Sequence, residues 1–172
     1  IEMQIVLAGA TGTIGQTVAQ ELLGLGHHIL CPLRQGSSLQ ALGPEPLVCQ
    51  LTEQGSLFQA LNGKRVDAVI SCLATRTGSV SDAWTVEHDA QVNLLKESAA
   101  AGARHFVLLS AICVQKPRLA FQHAKLAFEQ RLMESGLVWS IVRPTAFFKS
   151  LSGQVTRVQA GKPYLVFGNG TM

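Results

Sequence analysis

A chain of 172 residues, 47% hydrophobic and 15% charged, is long enough for one buried core and too apolar to be disordered. Its 14 basic and 11 acidic residues are spread along the sequence, which excludes the clustered basic surface of a nucleic-acid-binding protein. No run reaches the roughly 18 apolar residues of a membrane span. Four cysteines without CxxC spacing indicate buried thiols in a reducing compartment, with no metal site: Cys31, Cys49, Cys72 and Cys113. We expect one domain over residues 1–172, and the abrupt ends indicate a fragment of a longer chain.

The first predicted strand, from Ile5, runs directly into a turn with glycines at positions 9, 12 and 15 and then into a helix. Glycines at this spacing allow a tight turn, close approach of the backbone to a pyrophosphate, and packing of the helix on the strand. The N–H groups that open the helix favour an anion. A turn that merely closes a strand onto a helix is the alternative, but its place in the first βα unit favours a nucleotide. We expect these residues at the pyrophosphate: Gly9, Thr11, Gly12, Thr13 and Ile14.

Apolar runs without strict alternation then alternate with helical patterns along the chain. Because strands buried on both faces read this way, the sequence predicts an α/β fold of the Rossmann type, a doubly wound parallel sheet with helices on both faces. The predicted strands after the first are Ile29–Leu33, Pro46–Leu51, Val66–Ala74, His105–Ile112 and Trp139–Thr145. The predicted helices after the first are Ser56–Leu61, Asp82–Ala101, Leu119–Met133 and an amphipathic segment from Phe147 to Gln159, followed by a strand or loop at Lys162–Phe167.

Arg34 directly follows the second strand, where a Rossmann fold meets the adenosine ribose. An acidic residue there would bond both ribose hydroxyls of NAD, whereas an arginine pairs with the 2′-phosphate of NADP. The position therefore favours NADPH as the cofactor. A solvated surface arginine is the alternative that the sequence leaves open.

Several other residues are expected at the carboxyl edge of the sheet, where open α/β sheets bind their ligands. Leu73 and Ala74 end the fourth strand and are expected along the cofactor. Ser110 ends the fifth strand, Pro144 and Thr145 end the sixth, and Lys125 on the following helix is expected to reach the ribose hydroxyls of a nicotinamide nucleotide. The alternatives are a plain buried strand end and a solvated helical lysine.

The glycine turn, the Ser110 strand end and the run Arg143-Pro144-Thr145 resemble the extended and atypical, NmrA-like short-chain dehydrogenase/reductase superfamily. That superfamily carries a Tyr-x-x-x-Lys pair, which supplies a proton donor and a ribose-binding lysine. The matching stretch here is Phe121-Gln-His-Ala-Lys125, so the lysine is kept and the tyrosine is absent. Phe121 has no ionisable group, and carbonyl chemistry through a tyrosine cannot run from this position.

Longer runs are similar to the divinyl chlorophyllide a 8-vinyl reductase family, and they include Ser71–Gly78, His105–Pro117, Ser140–Leu151 and Gly161–Gly168. The resemblance implies NADPH-dependent reduction of the 8-vinyl group of divinyl chlorophyllide or protochlorophyllide to ethyl, in chlorophyll or bacteriochlorophyll synthesis. It implies Ser110 and Lys125 as catalytic residues beside the nicotinamide and its ribose, with the proton donor unassigned. It also implies the cytoplasm of a photosynthetic bacterium or the plastid stroma or thylakoid surface, with peripheral membrane association left open.

Two departures and two alternatives accompany this resemblance. Gln50 lies where related folds place an aspartate against adenine, and the carboxyl-terminal portion that builds the substrate pocket of the superfamily is expected to be missing after Met172. The absent tyrosine also suits a non-catalytic NADP-binding regulator or photosystem assembly factor. An isoflavone-reductase-like enzyme acting on phenolic double bonds is a third hypothesis.

Overall fold

The computed structural model describes residues 1–39, 43–75, 79–145, 147 and 152–164. Six strands form one sheet in the order β3-β2-β1-β4-β5-β6, and all five neighbouring pairs are parallel. This order confirms the predicted doubly wound sheet of the Rossmann type. The strands are β1 Gln4–Ala8, β2 His28–Leu33, β3 Glu45–Val48, β4 Ala68–Ser71, β5 His105–Leu109 and β6 Val138–Val142.

Helices follow β1, β3, β4, β5 and β6, as the alternating pattern predicts. The predicted helix at Asp82–Ala101 begins two residues earlier, where Ser79 Oγ accepts a hydrogen bond from Asp82 N–H, and it is interrupted by a π-helical turn at Thr85–Asp89. Periodicity did not predict this turn, because one wide turn barely alters the spacing of apolar residues. The helices are α1 Thr13–Gly24, α2 Ser56–Leu61, α3 Val80–Trp84, α4 Ala90–Ala100, α5 Ala120–Met133 and α6 Ser152–Gln159.

The core lies on both faces of the sheet, and β1 shows why its sequence lacks alternation. Val6 packs into the cluster that contains Phe106 and Phe128, whose ring centroids lie 5.7 Å apart. Ile5 and Leu7 pack into the opposite cluster, against α1. Each of these buried side chains contributes about 1.5–3 kcal/mol of apolar burial. Both faces must therefore be apolar.

Four of the predicted strands extend beyond the observed strands at their carboxyl ends, while β2 ends at Leu33 as predicted. The segments 72–74, 110–112 and 143–145 are not part of the strands. Backbone hydrogen bonds still tie all three to their neighbours, from Cys72 N–H to Ala8 C=O, from Ser110 N–H to Val142 C=O and from Ile112 N–H to Pro144 C=O. The residues expected at the ligand edge thus lie in loops.

Three features of the fold bear on the other predictions. Cys113 is exposed, with φ of 67°, so the expectation of buried thiols is wrong for this residue while Cys31 and Cys49 are buried. Within the described residues, no helix has the length and apolarity to cross a bilayer. The segment Lys162–Phe167 and the start of the predicted amphipathic segment lie partly outside the described residues.

Candidate functional site

Two of the three glycines of the first turn, Gly9 and Gly15, are required by backbone contacts. Gly9 has φ of 81°, and a Cβ there would lie 2.5 Å from the carbonyl oxygen of Cys72. A Cβ on Gly15 would lie 2.8 Å from Ala10 Cα and would also collide with the Gly9 carbonyl oxygen. Gly12 N–H donates to Gly9 C=O at 3.0 Å, which closes the turn. Any larger residue at Gly9 or Gly15 would displace the helix from the sheet.

The amino end of α1 fits a phosphate group. Gly12 caps the helix without a side-chain hydrogen bond, and the first turn of α1 contains no acidic residue. Backbone N–H groups and the positive end of the helix dipole therefore face the carboxyl edge of the sheet without a competing carboxylate in that turn. Thr11 and Ile14 are half-buried and Thr13 is exposed at this end, as expected for residues that border a ligand.

Arg34 is exposed directly after β2, which pairs with β1. Its carbonyl accepts from Ser37 N–H at 3.0 Å, so the chain turns back immediately after the arginine. Because β1 and β2 are parallel, Arg34 lies at the same edge as the glycine turn. This is the position that the predicted contact with a 2′-phosphate needs.

The end of β4 forms the neighbouring wall. Cys72 N–H donates to the Ala8 carbonyl at 2.9 Å, and Leu73 N–H donates to Ser71 Oγ at 3.4 Å. Ser71 is itself anchored to buried Gln91 at 2.7 Å. Leu73 is half-buried and Ala74 is exposed beyond it, next to the glycine turn, since a Cβ on Gly9 would lie 3.0 Å from Leu73 N. The term crevice denotes the carboxyl edge of the sheet between residues 9–15 and 71–75, together with the part of α5 that carries Lys125.

Lys125 is buried on α5 rather than solvated. Its Nζ lies 2.7 Å from Glu87 Oε2, and the two side chains are 7% and 1% exposed. Nζ also donates to the Leu109 carbonyl, the last residue of β5, at 3.4 Å. Burial raises the pKa of the nearby Cys72 thiol to about 11, and the charge of Lys125 offsets part of that rise. The lysine therefore places a positive charge inside the crevice.

Glu87 was not singled out by the sequence, since an acidic residue in a helix is usually solvated. The π-helical turn carries it inward, where its Oε1 accepts from Thr75 N–H at 2.8 Å while Oε2 faces Lys125. Glu87 thus joins the loop after β4 to α5. An interrupted helix is a feature that often marks functional sites, and only the structure reveals it here.

Ser110 lies at the end of β5 in a second polar cluster. Its hydroxyl donates to Glu129 Oε1 at 2.5 Å, and Glu129 is fully buried on α5. Arg143 donates to the same carboxylate through Nε at 3.2 Å and Nη2 at 2.5 Å. These bonds with the Glu129 carboxylate raise the pKa of Arg143. Ser110 and Lys125 both lie at the carboxyl edge, but each is paired with a different glutamate.

The remaining predicted residues fall as follows. Pro144 is half-buried and joined to Ile112, and Thr145 is exposed next to it. Phe121 is half-buried, one helical turn before Lys125. Gln50 is exposed, and its backbone N–H donates to Ser56 Oγ at 2.9 Å.

Among the described residues no group of three or more His, Cys, Asp or Glu side chains is placed to hold a metal ion.

The sequence matches the model of a known family, the NAD(P)H-binding family, over residues 9–170. This agrees with the glycine turn and with the order of the six strands. The chain belongs to this family. The match includes the glycine turn, Ser110 and Lys125, and it supports a nicotinamide dinucleotide as the cofactor class of this chain.

Two curated relatives have names that are more specific than that of the family. Divinyl chlorophyllide a 8-vinyl-reductase, chloroplastic, of Arabidopsis thaliana is 42% identical over 190 residues, which cover 99% of this chain and 46% of that protein. This match confirms the resemblance found in the sequence. Photosystem II assembly factor Ycf39 of Cyanophora paradoxa is 28% identical over 156 residues, 88% of this chain and 48% of that protein. The chain spans about half the length of the curated relatives it matches.

A solved structure supports the fold independently. The enzyme WbmG of Bordetella bronchiseptica in complex with NAD superposes with a TM-score of 0.81 over 94% of this chain and 61% of that chain. The two sequences are 17% identical, so the likeness shows a shared fold alone.

Proposed function

We propose that this chain is the nucleotide-binding part of an NADPH-dependent reductase that converts the 8-vinyl group of divinyl chlorophyllide or protochlorophyllide to ethyl. The observation that carries the proposal is 42% identity to the Arabidopsis 8-vinyl reductase over 99% of the chain. Because this identity extends over almost the whole chain, it favours a substrate of the class that the name of the Arabidopsis enzyme states. Residues 1–172 would form one domain, and the part of the relatives' length outside it would supply most of the tetrapyrrole pocket.

Gly9, Gly12 and the first turn of α1 would hold the pyrophosphate, together with Thr11, Thr13 and Ile14. The cradle that a Cβ would fill at Gly9 and Gly15 supports this placement. Leu73 and Ala74 would border the dinucleotide on the β4 side, and Pro144 and Thr145 would border it beyond β6. Substitution of Gly15 by alanine tests this arrangement.

NADPH is proposed over NADH because of Arg34. The arginine is exposed at the end of β2, where a planar guanidinium can pair with a 2′-phosphate through two hydrogen bonds. No acidic residue lies between Leu33 and Leu39, so the ribose hydroxyls of NADH lack a carboxylate acceptor in this stretch. The preference for NADPH over NADH would therefore depend on Arg34.

Bound NADPH supplies a hydride, and saturation of a vinyl group also needs a proton at the neighbouring carbon. Lys125 would bind the nicotinamide ribose and orient the ring, because its ammonium is already fixed in the crevice. Ser110 would face the ring or the substrate as an acceptor, since its hydrogen is directed to Glu129. Phe121 keeps the tyrosine position apolar. The conjugated macrocycle can take up charge, so no alkoxide needs protonating.

The proposal is tested with the full-length protein and two substrates that differ only at the vinyl group. Consumption of NADPH with divinyl chlorophyllide, and none with the monovinyl form, is the expected result. Equal NADPH oxidation with both compounds, or with neither, would refute the assignment.

A second candidate function rests on the likeness to Ycf39 and on the absent tyrosine: an NADP-binding photosystem assembly factor without turnover. Tight NADPH binding without oxidation, together with co-purification of photosystem subunits, would favour it. In either case we infer a location in a photosynthetic bacterium or in the plastid, since the Arabidopsis relative is named chloroplastic. Peripheral association with the thylakoid surface suits both functions.

A further inference from the structure

The pair of Glu87 and Lys125 is buried more deeply than a surface ion pair, with exposed fractions of 1% and 7%. Burying two charges carries a desolvation cost that often matches or exceeds their attraction, so an apolar pair would serve stability equally well. Stability alone therefore does not account for this buried pair. The pair lies between the loop after β4 and α5.

The π-helical turn at Thr85–Asp89 is what brings Glu87 to this place. It lies between α3 and α4, and the extra residue that it accommodates changes the direction of the side chains relative to a continuous α-helix. One carboxylate oxygen accepts from Thr75 N–H, and the other faces Lys125. Glu87 therefore connects two walls of the crevice through two different oxygens.

The ammonium of Lys125 has donor capacity left for a ligand. Among the described residues Nζ has two polar contacts, an ion pair with Glu87 Oε2 at 2.7 Å and a hydrogen bond to the Leu109 carbonyl at 3.4 Å. An ammonium carries three N–H groups, so these contacts do not use all of its donors. Because the two contacts lie on different elements, they restrict where the ammonium lies before a ligand arrives.

We propose that Glu87 is a positioning residue that holds the Lys125 ammonium toward the nicotinamide ribose. The inference rests on the proposed use of a nicotinamide dinucleotide, and it adds a residue that acts through the lysine. Glu87 influences only the nicotinamide half of the ligand. The adenosine half, held near Arg34, is independent of it.

Binding by the full-length protein tests this without any turnover. Glu87→Gln keeps an acceptor for Thr75 N–H and removes the charge opposite Lys125. Its affinity for NADPH is expected to fall about tenfold or more, as for the loss of one charge-assisted contact, while affinity for adenosine 2′,5′-bisphosphate is unchanged. Asp89→Asn is the matched control, since Asp89 lies in the same turn with its side chain 62% exposed. It should bind both ligands like the wild type.

A double substitution separates positioning from a general structural role. If Glu87 acts through the lysine, Glu87→Gln combined with Lys125→Met should bind NADPH no more weakly than Lys125→Met alone. Equal losses for NADPH and the bisphosphate, or additive losses in the double variant, would overturn the inference. Should Glu87→Gln not fold, Glu87→Asp keeps the charge one methylene further from Lys125. It is expected to weaken NADPH several-fold and spare the bisphosphate, and unchanged NADPH binding would contradict the inference.

NADPH binding by the wild type distinguishes failure of the proposed function from failure of the role of Glu87. If the wild type does not bind NADPH, the proposed function fails, and the inference fails with it. If the wild type binds NADPH and Glu87→Gln binds it equally well, the inference alone fails.

Discussion

Ser110 Oγ lies 2.5 Å from Glu129 Oε1, and both side chains are buried. A hydroxyl that donates to a carboxylate presents its lone pairs to other partners, so Ser110 is set as an acceptor toward the crevice. Arg143 donates to both oxygens of the same carboxylate. The end of β5 and the loop after β6 are thereby joined through one residue of α5.

The Glu129 cluster should contribute measurably to stability. Glu129→Gln removes the charge that binds Arg143 and Ser110, and we expect the free energy of unfolding to fall by about 1.5–3 kcal/mol. The partial exposure of Arg143, whose side chain is 34% exposed, limits the loss to this range. Urea denaturation checks it, with Glu134→Gln as control because that carboxylate is exposed at the end of the same helix. Equal stability of the two variants would contradict the account.

Two glycines of α1 should respond in opposite ways to alanine. Gly15→Ala places a methyl group against Ala10 and the Gly9 carbonyl, so we expect weaker NADPH binding and lower stability. Gly24→Ala meets nothing within 4 Å and should raise stability by about 0.4–1 kcal/mol. Thermal unfolding with and without NADPH measures both effects. A Gly15→Ala variant that binds like the wild type would refute the described turn.

Arg34 should decide between the two nicotinamide cofactors. We expect Arg34→Ala to weaken NADPH binding by about ten- to a hundredfold, from the loss of roughly 1.5–3 kcal/mol, and to leave NADH nearly unchanged. Arg104→Ala is the control, since Arg104 is exposed just before β5 at the opposite edge of the sheet. Titration with each cofactor is the measurement, and an equal loss for both would exclude the 2′-phosphate contact.

The thiols should differ in their reaction with iodoacetamide. Burial raises the pKa of Cys31 from 9.0 to about 12, and that of Cys49 to about 11, with Glu97 adding to the latter. At pH 8 a thiol with a pKa near 11 is about one part in a thousand thiolate, the reactive form. Exposed Cys113 should therefore be labelled first, and peptide mapping by mass spectrometry reads the order. Raising the pH should accelerate the buried thiols, and early labelling of Cys31 would show that the core opens.

The sequence predicted the sheet and the glycine turn because both depend on local patterns. Near-continuous apolar runs require burial on both faces, as Val6 and Ile5 show from opposite sides of β1. The glycines at 9 and 15 are required by contacts within 15 residues of the chain start and by one strand end. Such constraints leave a clear trace in residue type and spacing.

The roles of the two buried glutamates, Glu87 and Glu129, could not be predicted from residue type or spacing. Glu87 reaches Lys125 across 38 positions of sequence through an interrupted helix, and Glu129 joins Ser110 and Arg143 from a third element. Their roles depend on tertiary contacts between elements, and an acidic residue in a helix is ordinarily solvated. The exposure of Cys113 could not be predicted either, because the residue lies in a loop whose sequence has no periodicity.

The most direct test of the proposed chemistry follows the hydrogen itself. The full-length protein is incubated with divinyl chlorophyllide and NADPH carrying deuterium at the transferable position of the nicotinamide, and the product is analysed by chromatography and mass spectrometry. We expect monovinyl product with one deuterium in the new 8-ethyl group. Recovery of unchanged divinyl chlorophyllide, or of monovinyl product without deuterium, would contradict direct hydride transfer to the vinyl group.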